Sequence, residues 1–242
     1  MTPPRRRLFV PRDRIAAGRA QLSAADVHYL RDVLRLAPGA ELEVFDGEGG
    51  SYGAELAGEG SSVALGPRRD APVSRAPVHL GFALARGERC DLVVQKATEL
   101  GAAALWPVEA ARSVVRLDPE RAAERVRRWR RIAAEAARQC GRADVPVVEA
   151  PAPLEKVVAG APRGFRKILF HEGGGEPLAD VVERAADGHL LLVGPEGGFT
   201  PEEVDAGLAG GARLVTVGPR VLRFETAAIS AVALVQYLLG GL

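Results

Sequence analysis

Four consecutive apolar residues, Leu190 to Val193, predict a parallel strand buried on both faces. The run ends in Gly194-Pro195-Glu196-Gly197-Gly198-Phe199, a loop with almost no side-chain bulk on which a ligand can lie directly against the backbone. Thr200 then takes the N-cap of a helix, with Pro201 at its first position and Glu203 three residues after the cap. A second strand, Arg213 to Val217, runs into another glycine-containing loop, Gly218 to Phe224, and then into a final helix that is apolar on nearly every face. Two strand ends that each open into a small-residue loop followed by a helix are how an α/β sheet builds a ligand crevice at its carboxyl edge.

The N-terminal part reads differently. Short strands are predicted at Arg7 to Val10, Glu41 to Phe45, Tyr52 to Ala57 and Ser62 to Leu65, with turn chemistry at Asp46 to Gly50. One helix interrupts them: Ser23 caps it, Asp26 follows three residues on, and Val27, Leu30 and Val33 or Leu34 recur at helical spacing before Pro38 and Gly39 stop it. Several short strands with one helix make a compact, barrel-like module. A proline-containing, charged linker from Gly66 to Pro77 then sets a boundary between domains 1–73 and 74–242.

Beyond it, strands at Val78 to Leu84, Ala103 to Val108 and Arg166 to Phe170 alternate with helices. Gly101 closes the helix that begins near Glu88, and a long helix spans Pro119 to about Cys140. Together with the two C-terminal strands, this order predicts an α/β domain with a mostly parallel sheet covered on both faces. In the long helix Val126, Trp129, Ala133, Ala136 and Cys140 form the apolar stripe, so Trp129 reads as core. Arg121, Arg125, Arg128, Arg131 and Arg138 crowd its other faces, with Arg142 just beyond its end.

Composition changes this picture little. A hydrophobic fraction of 47%, a charged fraction of 26% and a net charge of +1 describe a globular chain without a uniformly basic coat, so any RNA site is a local patch. Two such patches stand out: Arg5, Arg6, Arg7 and Arg12 near the N-terminus, and Arg125 and Arg128 on the long helix. Cys90 and Cys140 lie far apart without metal-ligand neighbours, so neither a disulfide framework nor a metal site is expected. The opening MTPPRRRLFV has no apolar signal core, and the final helix is too short to span a bilayer; a cytoplasmic protein without a membrane partner is expected.

Three loops at strand ends are candidates for chemistry: His171 to Gly175, Gly194 to Phe199 and Gly218 to Phe224. Converging on one sheet edge, they would offer free amides and carbonyls to a small ligand. With no second histidine at a metal spacing, His171 is a pocket wall or a loop hydrogen-bonder. A phosphate-binding protein lacks support, because neither Gly-Lys-Ser/Thr nor Gly-x-Gly-x-x-Gly is present in these loops. A non-catalytic RNA-binding protein with structural glycine loops is the alternative.

The stretches GPEGGFTPEEV at Gly194 to Val204 and VGPRVLRFETAAISA at Val217 to Ala231 resemble the paired C-terminal motifs of the RsmE family. Similarity continues upstream in HYLRDVLRLAPG from His28, FDGEG from Phe45, QKATELG from Gln95 and RWRRIAAEAARQCGR from Arg128. Phe224 departs from the motif, which has Thr there. The family methylates N3 of a uridine in 16S ribosomal RNA and belongs to the SPOUT class of S-adenosylmethionine-dependent methyltransferases. The resemblance implies a PUA-like β-barrel RNA-binding domain at the N-terminus and a C-terminal trefoil knot holding S-adenosylmethionine. It implies cofactor contacts from Phe170, His171, Gly194, Glu196, Gly197, Gly198, Val217, Gly218, Val221, Leu222 and Thr226. Uracil N3 must lose a proton, which makes Arg220, Arg223 and Glu225 the catalytic candidates, Arg223 in an electrostatic role. The expected partners are 16S RNA within the 30S subunit and a second copy packed on the final helix, through Ala227, Ile229, Val232, Ala233, Val235 and Leu239.

Overall fold

A computed structural model describes residues 6–58, 61–71 and 76–242. The chain divides into two units, Met1–Val73 with Ala134–Val145, and Ser74–Ala133 with Pro146–Leu242.

The first unit holds β1 (Arg7–Phe9), β2 (Ile15–Ala16), β3 (Arg19–Gln21), α1 (Ala24–His28), β4 (Glu41–Phe45), β5 (Gly50–Leu56) and β6 (Ser62–Asp70). The six strands form one sheet in the order β1-β4-β5-β6-β3-β2, with β1 parallel to β4 and the other neighbours antiparallel. Alternation decides which face is buried: Tyr52, Ala54 and Leu56 of β5 turn inward with Leu42, Val44 and Val63. The small strands β2 and β3, absent from the expected elements, are joined at Ala17 and Gly18, whose φ angles of 49° and 70° make the turn.

The Ser23 cap forms as expected, with a reciprocal bond from the Ser23 amide to the Asp26 carboxylate at 2.7 Å. The helix does not continue regularly to Pro38. A π-helical turn from Tyr29 to Val33 buries Leu30, and Arg35 at φ 53° ends the segment, so that the Leu36 amide reaches the Leu30 carbonyl. Residues 66–70, expected in the linker, extend β6 instead. Pro67 is accommodated because the ladder with β5 is irregular opposite Gly53, where Pro67's missing donor costs nothing.

Arg7 overturns one expectation. It is 4% exposed and donates from Nε to Glu43 at 2.6 Å and from its terminal nitrogens to the carbonyls of Ala137, Arg138 and Arg142 at 3.0–3.3 Å. Its guanidinium also lies over the Phe45 ring. A guanidinium so enclosed is a structural bolt, not a phosphate contact, and it favours the negative end of the helix it meets. This bolt explains why 134–145, expected in the second domain, packs with the first unit.

The second unit contains β7 (Val78–Ala83), α2 (Arg89–Glu99), β8 (Ala102–Val108), the start of α3 (Pro119–Cys140), β9 (Val147–Val148), α4 (Leu154–Gly160), β10 (Phe165–Phe170), β11 (Glu176–Pro177), α5 (Leu178–Val181), β12 (Gly188–Val193), α6 (Pro201–Ala209), β13 (Ala212–Thr216) and α7 (Phe224–Leu239). Its seven strands are all parallel, in the order β11-β13-β10-β12-β7-β8-β9. Every residue of β12 is buried, so both faces of the sheet are covered there. Trp129 is core as expected: fully buried, edge-on to Phe82, its Nε1 donating to Asp91 at 2.9 Å. Helix α4, flanked by prolines and glycines, adds to the expected elements and buries Leu154, Val157 and Val158. Among the described residues no helix is long and apolar enough to cross a membrane.

Candidate functional site

Sheet order builds the site. Because β10 lies between β12 and β13, Phe170 registers with Val193 on one side and Val215 on the other. The loops that follow these three strands therefore leave the same edge side by side. Between them lies a cavity of about 340 Å³. Its apolar walls include Val193, Val215, Leu222 and Phe224, and its polar rim carries Glu172, Glu196 and Arg220.

Each loop has a local reason for its path. In the first, Gly174 adopts φ 112°, and Gly175 lies so close to β13 that a Cβ there would meet the backbone of Leu214 and Val215 at 2.8 Å. His171 is the loop hydrogen-bonder expected: its Nδ1 accepts from the Gly173 amide at 3.0 Å. In the second, Gly198 at φ 68° turns its amide onto the Pro195 carbonyl at 2.8 Å, while Phe199 folds inward at 4% exposure. In the third, Gly218 adopts φ 70°.

Helix α6 starts as the sequence indicated. Thr200 donates its amide to Glu203 at 2.8 Å, and Glu203 returns its amide to the Thr200 hydroxyl at 3.3 Å. The same buried carboxylate accepts the Ala111 amide at 2.6 Å, a tie across 92 positions that no local signal announces. Two more long-range contacts hold the 194–199 loop. Arg89, at the start of α2, pairs with Glu196, and Arg112 donates to the Gly197 carbonyl at 2.7 Å.

Of the expected cofactor residues, Phe170, His171, Gly194, Glu196, Gly198, Val217, Gly218, Val221 and Leu222 line the cavity, as does Arg220. Gly197 and Thr226 do not: Gly197 turns its carbonyl outward to Arg112, and Thr226 is exposed on α7. Arg223 and Glu225 are also outside the lining. Phe224 points into the cavity, and a helix advances about 100° per residue, so its two neighbours turn aside while Ala227 and Ala231 share its face. Glu225 nevertheless has its Oε2 buried without a hydrogen-bond partner among the described residues. Glu172 and Phe199 line the cavity from within the candidate loops, whereas Thr216 and Ser230 line it from outside them and were missed by sequence reasoning. Phe224, the end of the third candidate loop and a departure from the family motif, forms part of the wall with its ring 2% exposed.

The expected RNA contacts scatter. Arg5 lies outside the described residues. Arg6 and Arg12 are exposed, Arg12 donating to the Tyr52 hydroxyl at 2.6 Å. Arg125 is half-buried, and Arg128, although exposed, is paired with Asp91 at 2.6 Å. Among the described residues no cluster of three His, Cys, Asp or Glu side chains could hold a metal ion.

Comparison with known proteins agrees with this architecture. A family model for an RNA methyltransferase domain matches residues 72–236, and one for an RNA methyltransferase PUA domain matches residues 22–63. Ribosomal RNA small subunit methyltransferase E of Mycobacterium tuberculosis is 38% identical over 213 residues, covering 85% of this chain and 81% of that protein. The Bacillus subtilis protein of the same name is 29% identical, covering 89% of each. The crystal structure of ribosomal RNA small subunit methyltransferase E from Neisseria gonorrhoeae, bound to S-adenosyl methionine, superposes with a TM-score of 0.85 at 29% identity, over 96% of this chain and 97% of that one. With a methyltransferase family model over most of its length and a relative 38% identical across both units, the chain belongs to the RNA methyltransferase family of ribosomal RNA small subunit methyltransferase E.

Proposed function

We propose that this chain transfers the methyl group of S-adenosylmethionine to N3 of a uridine in 16S ribosomal RNA. The observation that carries the reading is the cavity enclosed by three glycine-containing loops at adjacent strand ends. Its residues fit the cofactor. The apolar walls suit a purine face, glycine backbone leaves amides and carbonyls to meet the purine edge, and the Glu172 carboxylate suits a ligand with a sulfonium and an ammonium group. When bound, S-adenosylmethionine supplies an activated methyl group, so the chain needs no covalent nucleophile of its own.

What remains for the protein is alignment and charge. Arg220, on the cavity rim, stabilises the negative charge that spreads onto the uracil carbonyl oxygens once the N3 proton has passed to water. Arg223, exposed at the end of the same loop, meets the RNA phosphates, and Glu225 in the first turn of α7 keeps a buried carboxylate oxygen beside it. The placement of β10 between two strands that follow it in sequence supports a knotted C-terminal region, and the six-stranded sheet of the first unit supports a PUA-like barrel that contacts RNA. Val232 and Val235, expected at a subunit contact, are buried within this chain, but Val221, Leu234 and Tyr237, exposed on α7 and the loop before it, support a second copy packed there. The same reading places the protein in the cytoplasm with the 30S subunit as its substrate.

Transfer of labelled methyl from S-adenosylmethionine to 30S subunits and to naked 16S RNA, followed by nucleoside analysis, tests the reading. Label recovered as 3-methyluridine is the expected result. RNA binding by folded protein with no label on either substrate would refute it and favour a non-catalytic RNA-binding protein.

A further inference from the structure

The loop between β8 and α3 carries two arginines to which methyl transfer assigns no task. Arg112 is exposed, yet its Nη1 donates to the carbonyl of Gly197 at 2.7 Å and to that of Phe199 at 3.4 Å. Arg116, also exposed, donates to the carbonyls of Ala110 and Ala111 at 3.3 and 2.9 Å. Among the described residues neither guanidinium is ion-paired with a carboxylate, whereas Arg89 and Arg128 are neutralised by Glu196 and Asp91. The acid that senses Arg112 is Glu202. Its carboxyl is held below the usual range by hydrogen bonds at its own backbone and at Thr200, with a smaller attraction from Arg112.

A guanidinium has five donors, and one or two carbonyls leave most of them without an acceptor and the charge without a carboxylate in contact. Two such groups lie four residues apart on one short loop, each held by backbone acceptors. The ligand that matches two forked, uncompensated guanidiniums is a phosphate. The loop is also fastened to the cofactor site. Glu203 holds the Ala111 amide, and Arg112 reaches the wall of the cavity from behind, at the residue between Glu196 and Gly198. Whatever settles on Arg112 therefore acts on the segment that lines the cavity.

We propose that Arg112 and Arg116 each bind a backbone phosphate of the RNA, and that Arg112 couples its phosphate to the 194–199 loop. The proposal rests on the RNA methyltransferase reading above. Because coupling is reciprocal, bound S-adenosylmethionine tightens RNA binding and bound RNA tightens cofactor binding by the same factor.

The test measures binding of a 16S RNA transcript and of 30S subunits across a salt series, with and without S-adenosylmethionine, alongside cofactor binding by calorimetry. The double variant R112A/R116A is expected to lower the slope of log affinity against log salt by roughly 1.4, at about 0.7 per phosphate contact on single-stranded RNA. R116A alone lowers the slope and keeps the coupling between cofactor and RNA. R112K keeps the charge and the slope, but its ammonium cannot reproduce the fork, so the coupling, about fivefold or more in the wild type, collapses toward one. A double variant with wild-type slope would overturn the phosphate contacts, and R112K with wild-type coupling would overturn the link to the cofactor loop. Failure of the functional reading is distinguishable, because then the wild-type chain itself transfers no methyl group.

Discussion

Glu203 holds three segments together, and its removal can be worked through quantitatively. The side chain belongs to a residue 8% exposed and accepts two backbone amides, Ala111 at 2.6 Å and Thr200 at 2.8 Å. Glu203→Ala deletes both acceptors and leaves two part-buried donors unpaired. A hydrogen bond to a charged group is worth about 1.5–3 kcal/mol, and an N-terminal cap about 1 kcal/mol, so the combined loss is about 3 kcal/mol. Thr200→Ala is the control, since it removes the 3.3 Å return bond and the hydroxyl's bond to Glu202 but leaves both ties of Glu203, and it is expected to cost about 1 kcal/mol. The chain's two tryptophans, Trp106 and Trp129, both lie in the second unit, so intrinsic fluorescence reports the unfolding of that unit. At a urea dependence of about 1–3 kcal/mol per molar, the midpoint for Glu203→Ala should fall by about 1 M or more. Cofactor affinity should fall with it, because the 194–199 loop and the Arg112 loop lose their common anchor. A midpoint within about 0.3 M of wild type, or no different from Thr200→Ala, would refute the claim that one carboxylate carries both ties.

Three further outcomes follow from the geometry. Gly175→Ala places a methyl group 2.8 Å from the backbone of β13, so the 171–175 loop must shift, and calorimetry should show cofactor affinity reduced at least about fivefold, for a strain of roughly 1–3 kcal/mol. Arg7→Ala leaves Glu43 and three carbonyls without their shared donor and should destabilise the first unit by roughly 3 kcal/mol, read as faster hydrogen exchange in 134–145. Burial holds the imidazoles of His79 and His189 below their usual range, so the unfolded chain binds protons that the folded one refuses. Stability of the second unit is then complete above about pH 7 and falls as pH drops through the unfolded value near 6.5 toward the lower folded values. Tryptophan-monitored unfolding at pH 7.5 and pH 5.5 checks this, and replacing His189 and His79 with Gln should flatten the dependence. That window lies above the one in which Glu176 and Glu183, held low by hydrogen bonds from Arg213 and Arg166, take up protons.

What the sequence determined by itself was local. Ser23 with Asp26, and Thr200 with Pro201 and Glu203, marked two helix starts because a cap is an interaction among residues three apart. The apolar run before Gly194 marked a strand covered on both faces, and the spacing of the 119–140 stripe marked α3 and the burial of Trp129. Three glycine loops after apolar strands pointed to a small-ligand site. Only the tertiary structure decided how those loops meet: inserting β10 between β12 and β13 sets Phe170 beside Val193 and Val215, and that register closes the cavity. The same holds for each contact whose partners lie far apart in the chain, Arg7 on the end of α3, Glu203 on Ala111 and Arg112 on Gly197. Charge and propensity announce that such residues seek a partner, but the partner is chosen by sheet order and register, which no window of neighbouring residues contains.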